Sequence, residues 1–294
     1  MIRRIENEFL SVEINELGAE LFSIKSKKTG VEYLWQGNSE YWSGRSTILF
    51  PICGRLFGGK YTYNSVVYEM PIHGIAKLFE FNSKDISNTE IEFELKSNME
   101  TKKYYPFDFA FIVRYKLKNN LLKTEFIVKN NGEKSMYFSC GGHPGFNVPF
   151  TNEDTFEDYY LEFSEKELAK HVFSETCFDT GAMEKFSLVK KKLLLKHNLF
   201  DDDALFFETE TDKVKLKSSK SKSSIEVSYK DMTCLGLWHK PKTDAPYICI
   251  EPWHGIPSTD GIVDDLKTKQ QMIKLESNKR YVNSFIIKIT EGEL

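Results

Sequence analysis

The sequence predicts an all-β protein, a sandwich or barrel of sequential antiparallel strands with few short helices. Residues 90–96 alternate charged and apolar side chains without a break, which in a strand gives one solvated face and one core face. Turn-forming residues recur at short intervals along the chain, and no stretch keeps a 3.6-residue apolar period for four helical turns. Both features are typical of all-β folds.

A β-hairpin is the clearest local prediction. Residues 109–117 and 121–128 have strand composition, and the two asparagines between them form the turn. The Asn-Asn-Gly sequence that begins at Asn130 ends the second strand, because Asn and Gly tolerate the positive φ of tight turns. Further strands are predicted at residues 10–14, 20–25, 31–34, 61–69, 214–217, 225–229, 247–251 and 281–289.

One short helix and one exposed loop complete this reading of the chain. Ser164 and Glu167 have the spacing of a capping box, which predicts one or two helical turns through His171. The Ser- and Lys-rich residues 218–224 lie between two alternating segments, and we interpret them as an exposed hairpin loop rather than a linker. With no other biased stretch and no internal repeat, residues 1–294 are predicted to form a single domain.

The charge balance and the hydropathy pattern exclude several classes of protein. The chain has 40 Lys and Arg against 43 Asp and Glu, which gives a formal net charge of −3. A nucleic-acid binder is expected to be basic, so no nucleic-acid partner is predicted. No apolar run reaches the ~18 residues of a membrane-spanning helix, and the N-terminal residues lack the apolar core of a signal peptide. We therefore expect a cytoplasmic protein with no membrane partner.

Cysteine usage and a glycine-rich segment each argue against a common type of site. The five cysteines are widely spaced and lack a C-x-x-C pair, which predicts reduced thiols and no zinc or other metal site. Cys140 is interpreted as a buried apolar residue rather than a nucleophile. Residues 54–60 match part of a phosphate-binding P-loop. However, Tyr61 stands where Ser or Thr is required and a strand-like run follows, so we predict no nucleotide site.

Two histidines lie in unusual surroundings. His73 is part of an apolar stretch and a glycine follows it directly, whereas His143 has three glycines within two residues on either side. Glycines remove side-chain bulk, so another group can approach the imidazole closely. Either histidine could be a structural core residue, but the glycine-rich surroundings favour a functional role for His143.

Glu251 provides the strongest chemical argument. The strand predicted at residues 247–251 places Tyr247, Cys249 and Glu251 on one face. A carboxylate at the end of an apolar strand must be hydrogen-bonded, desolvated or in a cleft. Partial desolvation raises its pKa toward neutrality, which is what a general base at pH 7 requires. The alternative interpretation is a glutamate at a solvated strand end.

Aromatic and charged residues near these segments suit a sugar ligand. Trp238 and Trp253 offer flat apolar surface, and the histidine that follows each of them offers a hydrogen-bond donor. A sugar ring combines an apolar C–H face with a ring of hydroxyls, and such side chains match both. Arg45 and Arg55 flank an apolar segment, so one of them is expected to face a ligand. The three aspartates at residues 201–203 are interpreted first as a solvated turn.

Five short motifs, in order along the chain, resemble those of the aldose 1-epimerase (galactose mutarotase) family. They are residues 18–24 with 33–35, residues 49–55, His73 with Gly74, residues 142–146, and residues 249–253. The last two motifs, with residues 238–241 between them, most resemble the LacX-like subgroup. The match runs from about residue 7 to the C-terminus, and five motifs in order are more specific than any one of them.

The resemblance implies a fold and a set of functional residues. The fold would be a large antiparallel β-sandwich of the galactose-mutarotase type, with an open sugar cleft and with no cofactor or metal. By position, His143 would be the general acid and Glu251 the general base. The residues that would bind the sugar are Arg55, His73, Lys77, Asp203 and Trp253. Lys77 departs from the subgroup, where an arginine is expected, and it keeps the charge but lacks the bidentate fork.

The implied reaction is the interconversion of the α and β anomers of a hexose. A base takes the proton from the anomeric hydroxyl and an acid protonates the ring oxygen, so that the ring opens. Rotation about the C1–C2 bond then allows closure on the other carbonyl face. A carboxylate and an imidazole on opposite sides of the ring are expected to suffice. The partner would be a small-molecule sugar, and the chain a monomer or homodimer.

Three alternatives remain open at this point. A hexose-6-phosphate 1-epimerase would use Arg45, Arg55 and Lys77 to gather the phosphate. A non-catalytic carbohydrate-binding or sensory protein could use the same scaffold, and replacing the acid or the base would then cost little sugar affinity. A glycosidase would need a second carboxylate near Glu251, with Asp203 as the candidate, and would leave both histidines without a role.

Overall fold

The computed structural model describes residues 1–208 and 210–292, and it is 51% strand and 7% helix, which confirms the all-β prediction. The first strands are β1 Ile2–Glu6, β2 Leu10–Asn15, β3 Glu20–Ser26, β4 Ser46–Leu49, β5 Lys60–Tyr63, β6 Val66–Glu69, β7 Asn82–Ser87, β8 Glu90–Lys96, β9 Phe109–Lys118, β10 Leu121–Asn130, β11 Met136–Phe138 and β12 Cys140–Asn147. They are followed by β13 Tyr159–Glu162, β14 Glu167–Phe173, β15 Asp179–Ser187, β16 Lys192–Leu194, β17 Leu205–Glu208, β18 Lys213–Ser218, β19 Ser224–Ser228, β20 Cys234–Trp238, β21 Tyr247–His254, β22 Ile273–Leu275 and β23 Arg280–Thr290. Helical structure in the described residues comprises α1 Met99–Tyr104 and 3-10 turns at Phe57–Gly59, Ala76–Leu78, Phe156–Asp158 and His197–Phe200.

Two large antiparallel sheets form the body of the molecule. The nine-stranded sheet has the order β16-β13-β18-β19-β23-β10-β9-β8-β7, and the seven-stranded sheet has the order β15-β14-β17-β20-β21-β12-β4. A three-stranded sheet, β1-β2-β3, and the ribbons β5-β6 and β11-β22 complete the architecture. Buried side chains of both large sheets, such as Phe93 and Ile250, belong to one continuous core. The two sheets therefore pack face to face as a sandwich.

The nine-stranded sheet follows the alternation that its sequence predicts. Burial in β8, β18 and β19 alternates residue by residue, so one face enters the core and the other faces solvent. The predicted hairpin is formed by β9 and β10, with Asn119 at φ 52° in its turn. Residues 218–224 join β18 to β19, which confirms the predicted hairpin loop.

The seven-stranded sheet is buried along most of the length of its central strands. All residues of β12, β20 and β21 except the last of each are buried. Along β21, Ile248 and Ile250 face the sandwich core, whereas Tyr247 and Cys249 pack in a separate cluster with Trp35 on the opposite face. The predicted division of this strand into two faces is thus confirmed.

Several local predictions were wrong. The helix expected from Ser164 to His171 is instead strand β14, because pairing with β15 and β17 outweighs a local capping pattern. The single strand expected at residues 61–69 is the hairpin β5-β6, which turns where Asn64 and the next residue have positive φ. Residues 31–34 form only isolated bridges rather than a strand. The strands that were not predicted include β4, β12, β17 and β20 of the seven-stranded sheet.

Other exclusions drawn from the sequence agree with the structure. Strand β5 begins at Lys60, where a P-loop would require a helix, so residues 54–60 do not have the P-loop conformation. All five cysteines are free thiols, and four of them are buried. Within the described residues, no helix has both the length and the apolar character needed to cross a membrane.

Candidate active site

Residues that lie level with one another on neighbouring strands form a row across the seven-stranded sheet. Most of them line a cavity of ≈ 200 Å³. Neighbouring strands pair Thr47 of β4 with His143 of β12, and the register on either side places His143 level with Glu251 of β21. Glu251 in turn pairs with Gly236 of β20, which pairs with Phe206 of β17. Residues directly opposite each other on adjacent strands project on the same face. Pairing alone therefore brings together two side chains that lie 108 positions apart.

His143 and Glu251 form a buried pair at the centre of this row. Nε2 of His143 lies 3.2 Å from Oε2 of Glu251. The residues are only 7% and 2% exposed, so both groups are almost entirely removed from bulk water. Burial raises the pKa of the Glu251 carboxyl well above its usual value and lowers the pKa of the His143 imidazole well below its own. The interpretation of Glu251 as a residue at a solvated strand end was therefore wrong.

The two pKa shifts favour a pair that carries no net charge. One titratable proton between the two groups gives either a neutral imidazole with a carboxylic acid or an imidazolium with a carboxylate. Both arrangements are neutral overall. The lowered pKa of His143 and the raised pKa of Glu251 favour the first, and moving the shared proton to the imidazole gives the second, which supplies an acid and a base side by side. Loss of this proton leaves a buried negative charge, and gain of a second proton leaves a buried positive charge, so burial disfavours both changes.

The relative placement of the two groups corrects one sequence-based expectation. An imidazole and a carboxylate on opposite sides of a sugar ring were expected, but the two groups lie on adjacent strands, 3.2 Å apart. The sheet register is the physical reason, because directly opposite residues on neighbouring antiparallel strands have Cβ atoms only about 4.5–5.5 Å apart. Any ligand that meets both groups must approach them from the cavity side.

Two glycines make room for this pair. A Cβ added at Gly236 would lie 3.3 Å from Cβ of Glu251 and 3.5 Å from its Oε2, so a side chain there would displace the carboxylate. A Cβ added at Gly142, beside His143, would lie 2.6 Å from Cε1 of Phe285 in the nine-stranded sheet. The glycine-rich surroundings of His143 therefore serve close packing between the sheets as well as the cavity.

His73 is held as a hydrogen-bond donor beside the pair. Its Nδ1 accepts a hydrogen bond of 3.2 Å from the backbone N–H of Gly54, so its proton is on Nε2. Burial lowers the pKa of His73 well below its usual value, which keeps the ring neutral. The ring lies edge-on to His143 with centroids 5.2 Å apart, and it also lines the cavity.

Arg55 and Asp203 form an ion pair on the cavity wall. Nη2 of Arg55 lies 3.2 Å from Oδ2 of Asp203, and Nη1 donates to the carbonyl of Thr176 at 3.3 Å. Burial, together with a hydrogen bond to Asp203, raises the pKa of the Cys177 thiol to about 11. The aspartate run is thus only in part a solvated turn, because residues 201 and 202 are exposed whereas Asp203 lines the cavity.

Lys77 lines the same cavity without an ion-pair partner among the residues that the structure describes. Burial lowers the pKa of its amine, and the charge of Glu20 partly offsets this effect. Lys77 is therefore a lone cation at the cavity wall, whereas the charge of Arg55 is already balanced by Asp203.

Aromatic side chains enclose the imidazole of His143. Trp238 and Trp253 both line the cavity, as expected, and a third tryptophan, Trp42, stacks on His143 with ring centroids 4.8 Å apart and 34° between the planes. Trp42 was not predicted, because it lies in the irregular loop between β3 and β4, which has no periodic signal. The dipeptide Tyr41-Trp42, two residues before Gly44, was the only cue that the sequence offered.

Three residues that the sequence placed near the ligand lie elsewhere. Arg45 Nη1 donates to the carbonyl of Phe22 at 2.8 Å and to Oε1 of Gln36 at 2.9 Å, and Arg45 does not line the cavity. His239 shares hydrogen bonds with the Lys240 carbonyl and with another histidine. His254 does not line the cavity either, because β21 directs the residues on each side of Trp253 to the opposite face.

Cys249 is a further member of the cluster. Potential ligand atoms of His143, Cys249 and Glu251 all lie within 4.8 Å of one another, and all three residues are buried. Sequence spacing could not reveal this group, because its members come from two strands. The prediction of no metal site rested on spacing along the chain and did not consider such a cluster.

Comparisons with known proteins agree with this architecture. The sequence profile described as aldose 1-epimerase matches residues 1–287. The plasmid form of protein LacX from Lactococcus lactis subsp. lactis is 34% identical over 295 residues, covering 95% of this chain and 97% of LacX. A crystal structure of a galactose mutarotase related enzyme from Lactobacillus acidophilus superposes with a TM-score of 0.95 at 35% identity over 100% of both chains. A galactose mutarotase-like protein from Lactobacillus casei gives a TM-score of 0.92 at 29% identity, covering 99% of this chain and 100% of the other.

Proposed function

The chain belongs to the aldose 1-epimerase family, and from this premise we propose that it interconverts the α and β anomers of a hexose. The observation that carries the proposal is the buried pair of His143 and Glu251 on the wall of a cavity. An imidazole with a lowered pKa in contact with a carboxyl group with a raised pKa supplies the two groups that acid–base ring opening needs.

We propose that the pair acts on the two oxygens bonded to C1 of the sugar. The Glu251 carboxylate takes the proton of the anomeric hydroxyl while the His143 imidazolium protonates the ring oxygen. The C1–O5 bond breaks and the C1–O1 bond becomes a carbonyl. Because both oxygens are attached to the same carbon, two neighbouring groups can reach them from one side.

Closure of the ring returns both protons. After rotation about C1–C2, the O5 hydroxyl adds to the other face of the carbonyl and gives its proton to the imidazole. The Glu251 carboxylic acid then protonates O1, which restores the imidazolium and carboxylate. The pair has the same protonation state at the end as at the start, so each turnover needs no further reactant.

The surrounding side chains support sugar binding by this cavity. His73 offers a fixed Nε2–H donor, and the Arg55–Asp203 pair offers donors and acceptors to hydroxyl groups. Trp253 supplies an apolar face, since its ring lies 5.4 Å from that of His73 and the residue lines the cavity. We expect Lys77 to bind a hydroxyl at the cavity wall.

The charges in the cavity favour a neutral sugar over a phosphorylated one. The phosphate alternative relied on three cations, but Arg45 lies outside the cavity and Arg55 is paired with Asp203. Only Lys77 remains unpaired among the described residues of the wall. One lysine is a weak site for a dianionic phosphate, which usually recruits bidentate arginine contacts. We therefore propose an unphosphorylated hexose as the substrate.

The glycosidase and binding-protein alternatives receive less support. A glycosidase needs a free second carboxyl group, whereas Asp203 is ion-paired with Arg55. A non-catalytic sugar-binding protein does not require a buried acid–base pair that is costly to desolvate. The reduced state of all five cysteines is compatible with the cytoplasm, where we propose that the reaction takes place.

The test is the relaxation of freshly dissolved sugars toward anomeric equilibrium, followed by proton NMR. The sugars are α-glucose, α-galactose and their 6-phosphates, each with the wild-type chain, Glu251→Gln and a control, Glu226→Gln. Glu226 lies in the nine-stranded sheet, where it pairs with Lys215 outside the cavity. We expect acceleration of an unphosphorylated sugar by wild type and control, and a loss of at least about 100-fold in Glu251→Gln.

Other outcomes of this experiment decide between the alternatives. Faster relaxation of a 6-phosphate than of its parent sugar would support the phosphate alternative. Equal rates for wild type and Glu251→Gln would contradict the assignment of the base. No acceleration of any sugar, combined with a saturable binding isotherm for one of them, would support the binding protein.

A further inference from the structure

Three buried side chains, His143, Cys249 and Glu251, offer one nitrogen, one sulfur and one oxygen ligand atom within 4.8 Å of one another. We propose that they form an inhibitory binding site for a thiophilic divalent cation, for which Zn²⁺ is the best match. The cation has no part in the proposed reaction. Its binding depends on the ligand atoms and can therefore be tested whether or not the chain is an epimerase.

The geometry is close to that of a tetrahedral site. Bonds of about 2.0–2.3 Å to zinc place its ligand atoms roughly 3.3–3.8 Å apart. The His143 and Glu251 atoms already lie 3.2 Å apart, and all ligand atoms of the cluster lie within 4.8 Å of one another. The widest separation must therefore shrink by about 1 Å. The side chain of Glu251 has three rotatable bonds, which makes an adjustment of this size possible.

The donor set selects the kind of cation. Thiolate and imidazole ligands favour zinc over magnesium and calcium, which prefer oxygen ligands alone. A dication bound to a thiolate, a carboxylate and a neutral imidazole forms a complex with no net charge. This neutrality matters in a site where the two anionic residues, Cys249 and Glu251, are 0% and 2% exposed.

Binding of the cation displaces protons from its ligands. The Cys249 thiol loses one proton, and the His143–Glu251 pair loses the titratable proton that it holds. Two protons are therefore released for each cation bound. Because both protons must leave when the cation binds, binding should weaken as pH falls.

Access and inhibition follow from the position of the ligands. His143 and Glu251 line the cavity, so a cation can reach them by the route that a sugar would take, whereas Cys249 is not part of the lining. Because the cation occupies both the acid and the base, neither can transfer a proton while it is bound.

The test is a titration of the purified chain with Co²⁺, a spectroscopic substitute for Zn²⁺. Thiolate coordination gives a charge-transfer band in the near ultraviolet, which reports on Cys249 without any activity assay. The variants are Cys249→Ser and Cys249→Ala, and the matched control is Cys234→Ser. Cys234 is also a buried thiol of this sheet, but its Sγ lies 3.3 Å from Oε1 of Gln271.

We expect one equivalent of Co²⁺ to produce the band in wild type and in the control, with release of two protons. Zn²⁺ should displace Co²⁺ and abolish the band. In both Cys249 variants, the band should be absent and the affinity for Zn²⁺ at least about 100-fold weaker, since removing even an outer partner of a ligand costs 10–100-fold. Circular dichroism shows whether each variant is folded, and using two variants allows for one that is not.

The proposal is overturned if wild type shows no band at stoichiometric Co²⁺, if the band persists in a folded Cys249 variant, or if Cys234→Ser removes it. If the chain is not an epimerase, the experiments give a different pattern of results. The Co²⁺ band would then form in a chain that does not accelerate the relaxation of any sugar. Conversely, an active chain that binds no Co²⁺ would leave the epimerase proposal intact and reject the cation site.

Discussion

The nine-stranded and the seven-stranded sheets have similar pairing but differ in how their strands are buried. In the nine-stranded sheet, β8, β18 and β19 alternate between buried and more exposed residues. In the seven-stranded sheet, β12, β20 and β21 are buried almost throughout, with the core on one face and the cavity with its aromatic wall on the other. The first sheet is a stabilising layer, and the second places the buried pair of His143 and Glu251 on the wall of a cavity.

The two sheets also differ in how far their charged side chains are removed from solvent. On the outer face of the nine-stranded sheet, Arg114 lies 3.0 Å from Glu125 and is in contact with Glu92, and all three side chains remain partly exposed. In the seven-stranded sheet, Glu251 is buried and its polar contact is a histidine with a lowered pKa. A desolvated pair of this kind reduces stability, and such groups are characteristic of functional sites.

The largest expected effect is on the stability provided by the nine-stranded sheet. Phe93 is fully buried in β8 and packs edge-on against Tyr115. Replacing Phe93 with Ala should lower the free energy of unfolding by about 3–5 kcal/mol, because a cavity remains in the core. Chemical denaturation measures this loss. The rate of anomer interconversion per folded molecule should not change. A loss of this rate in the folded variant would show that stability and catalysis are not divided between the two sheets.

A smaller effect is expected from Asp203→Asn on the cavity wall. Loss of the carboxylate releases Arg55 from its ion pair, so KM should rise about tenfold while kcat changes less. The charge of Asp203 also raises the pKa of Glu251. Its removal should therefore lower that pKa and move the alkaline limb of the pH–rate profile to lower pH. An unshifted limb would contradict electrostatic coupling between Asp203 and the pair.

Gly236→Ala tests how tightly the side chain of Glu251 is packed against the neighbouring strand. The added Cβ would lie 3.3 Å from Cβ of Glu251, so the carboxylate must move by a few tenths of an ångström. We expect kcat to fall roughly fivefold, since a misplacement of 1 Å can cost about 100-fold. The control is Gly132→Ala in a surface turn, where the nearest atom would lie 3.4 Å from the new Cβ. Equal kcat values for the two variants would show that catalysis tolerates this displacement of the Glu251 carboxylate.

The smallest effect is a gain in stability from Glu251→Gln. Burial raises the pKa of Glu251 in the folded state, so the folded chain holds this proton more tightly than the unfolded chain does. Wild-type stability therefore falls as pH rises from the unfolded pKa toward the folded one, whereas glutamine does not titrate. Thermal unfolding at pH 8 should show the variant more stable by about 1 kcal/mol or more, and this difference should vanish near pH 4. A variant that is less stable at pH 8 would contradict the cost assigned to the buried carboxylate.

The same contrast explains how much of the fold the sequence could predict. Alternation predicted β8 because one of its faces is solvated, whereas strand composition and an Asn turn predicted the hairpin of β9 and β10. Strand β12 was missed because it is rich in glycine and proline and is buried on both faces, so no period remains to detect. Strand β14 was predicted as a helix, since a local capping pattern carries no information about pairing with distant strands.

The candidate site was predictable only in part. His143 and Glu251 stood out through their glycine-rich or apolar neighbours and through the resemblance to the family, and both line the cavity. Their direct contact could not be foreseen, because it depends on the register of β12 and β21. For the same reason Cys249 was not recognised as part of the cluster, and Trp42 belongs to a loop whose path only the tertiary structure defines.

The central claim is that His143 and Glu251 act as one unit, and a double-variant cycle tests it most directly. The rate of anomer interconversion above background is measured for wild type, His143→Asn, Glu251→Gln and the variant with both changes. Groups that act together are strongly non-additive, so each single variant should lose at least about 100-fold and the double variant no more than the worse single. Losses that multiply in the double variant, or wild-type rates in either single variant, would contradict the account.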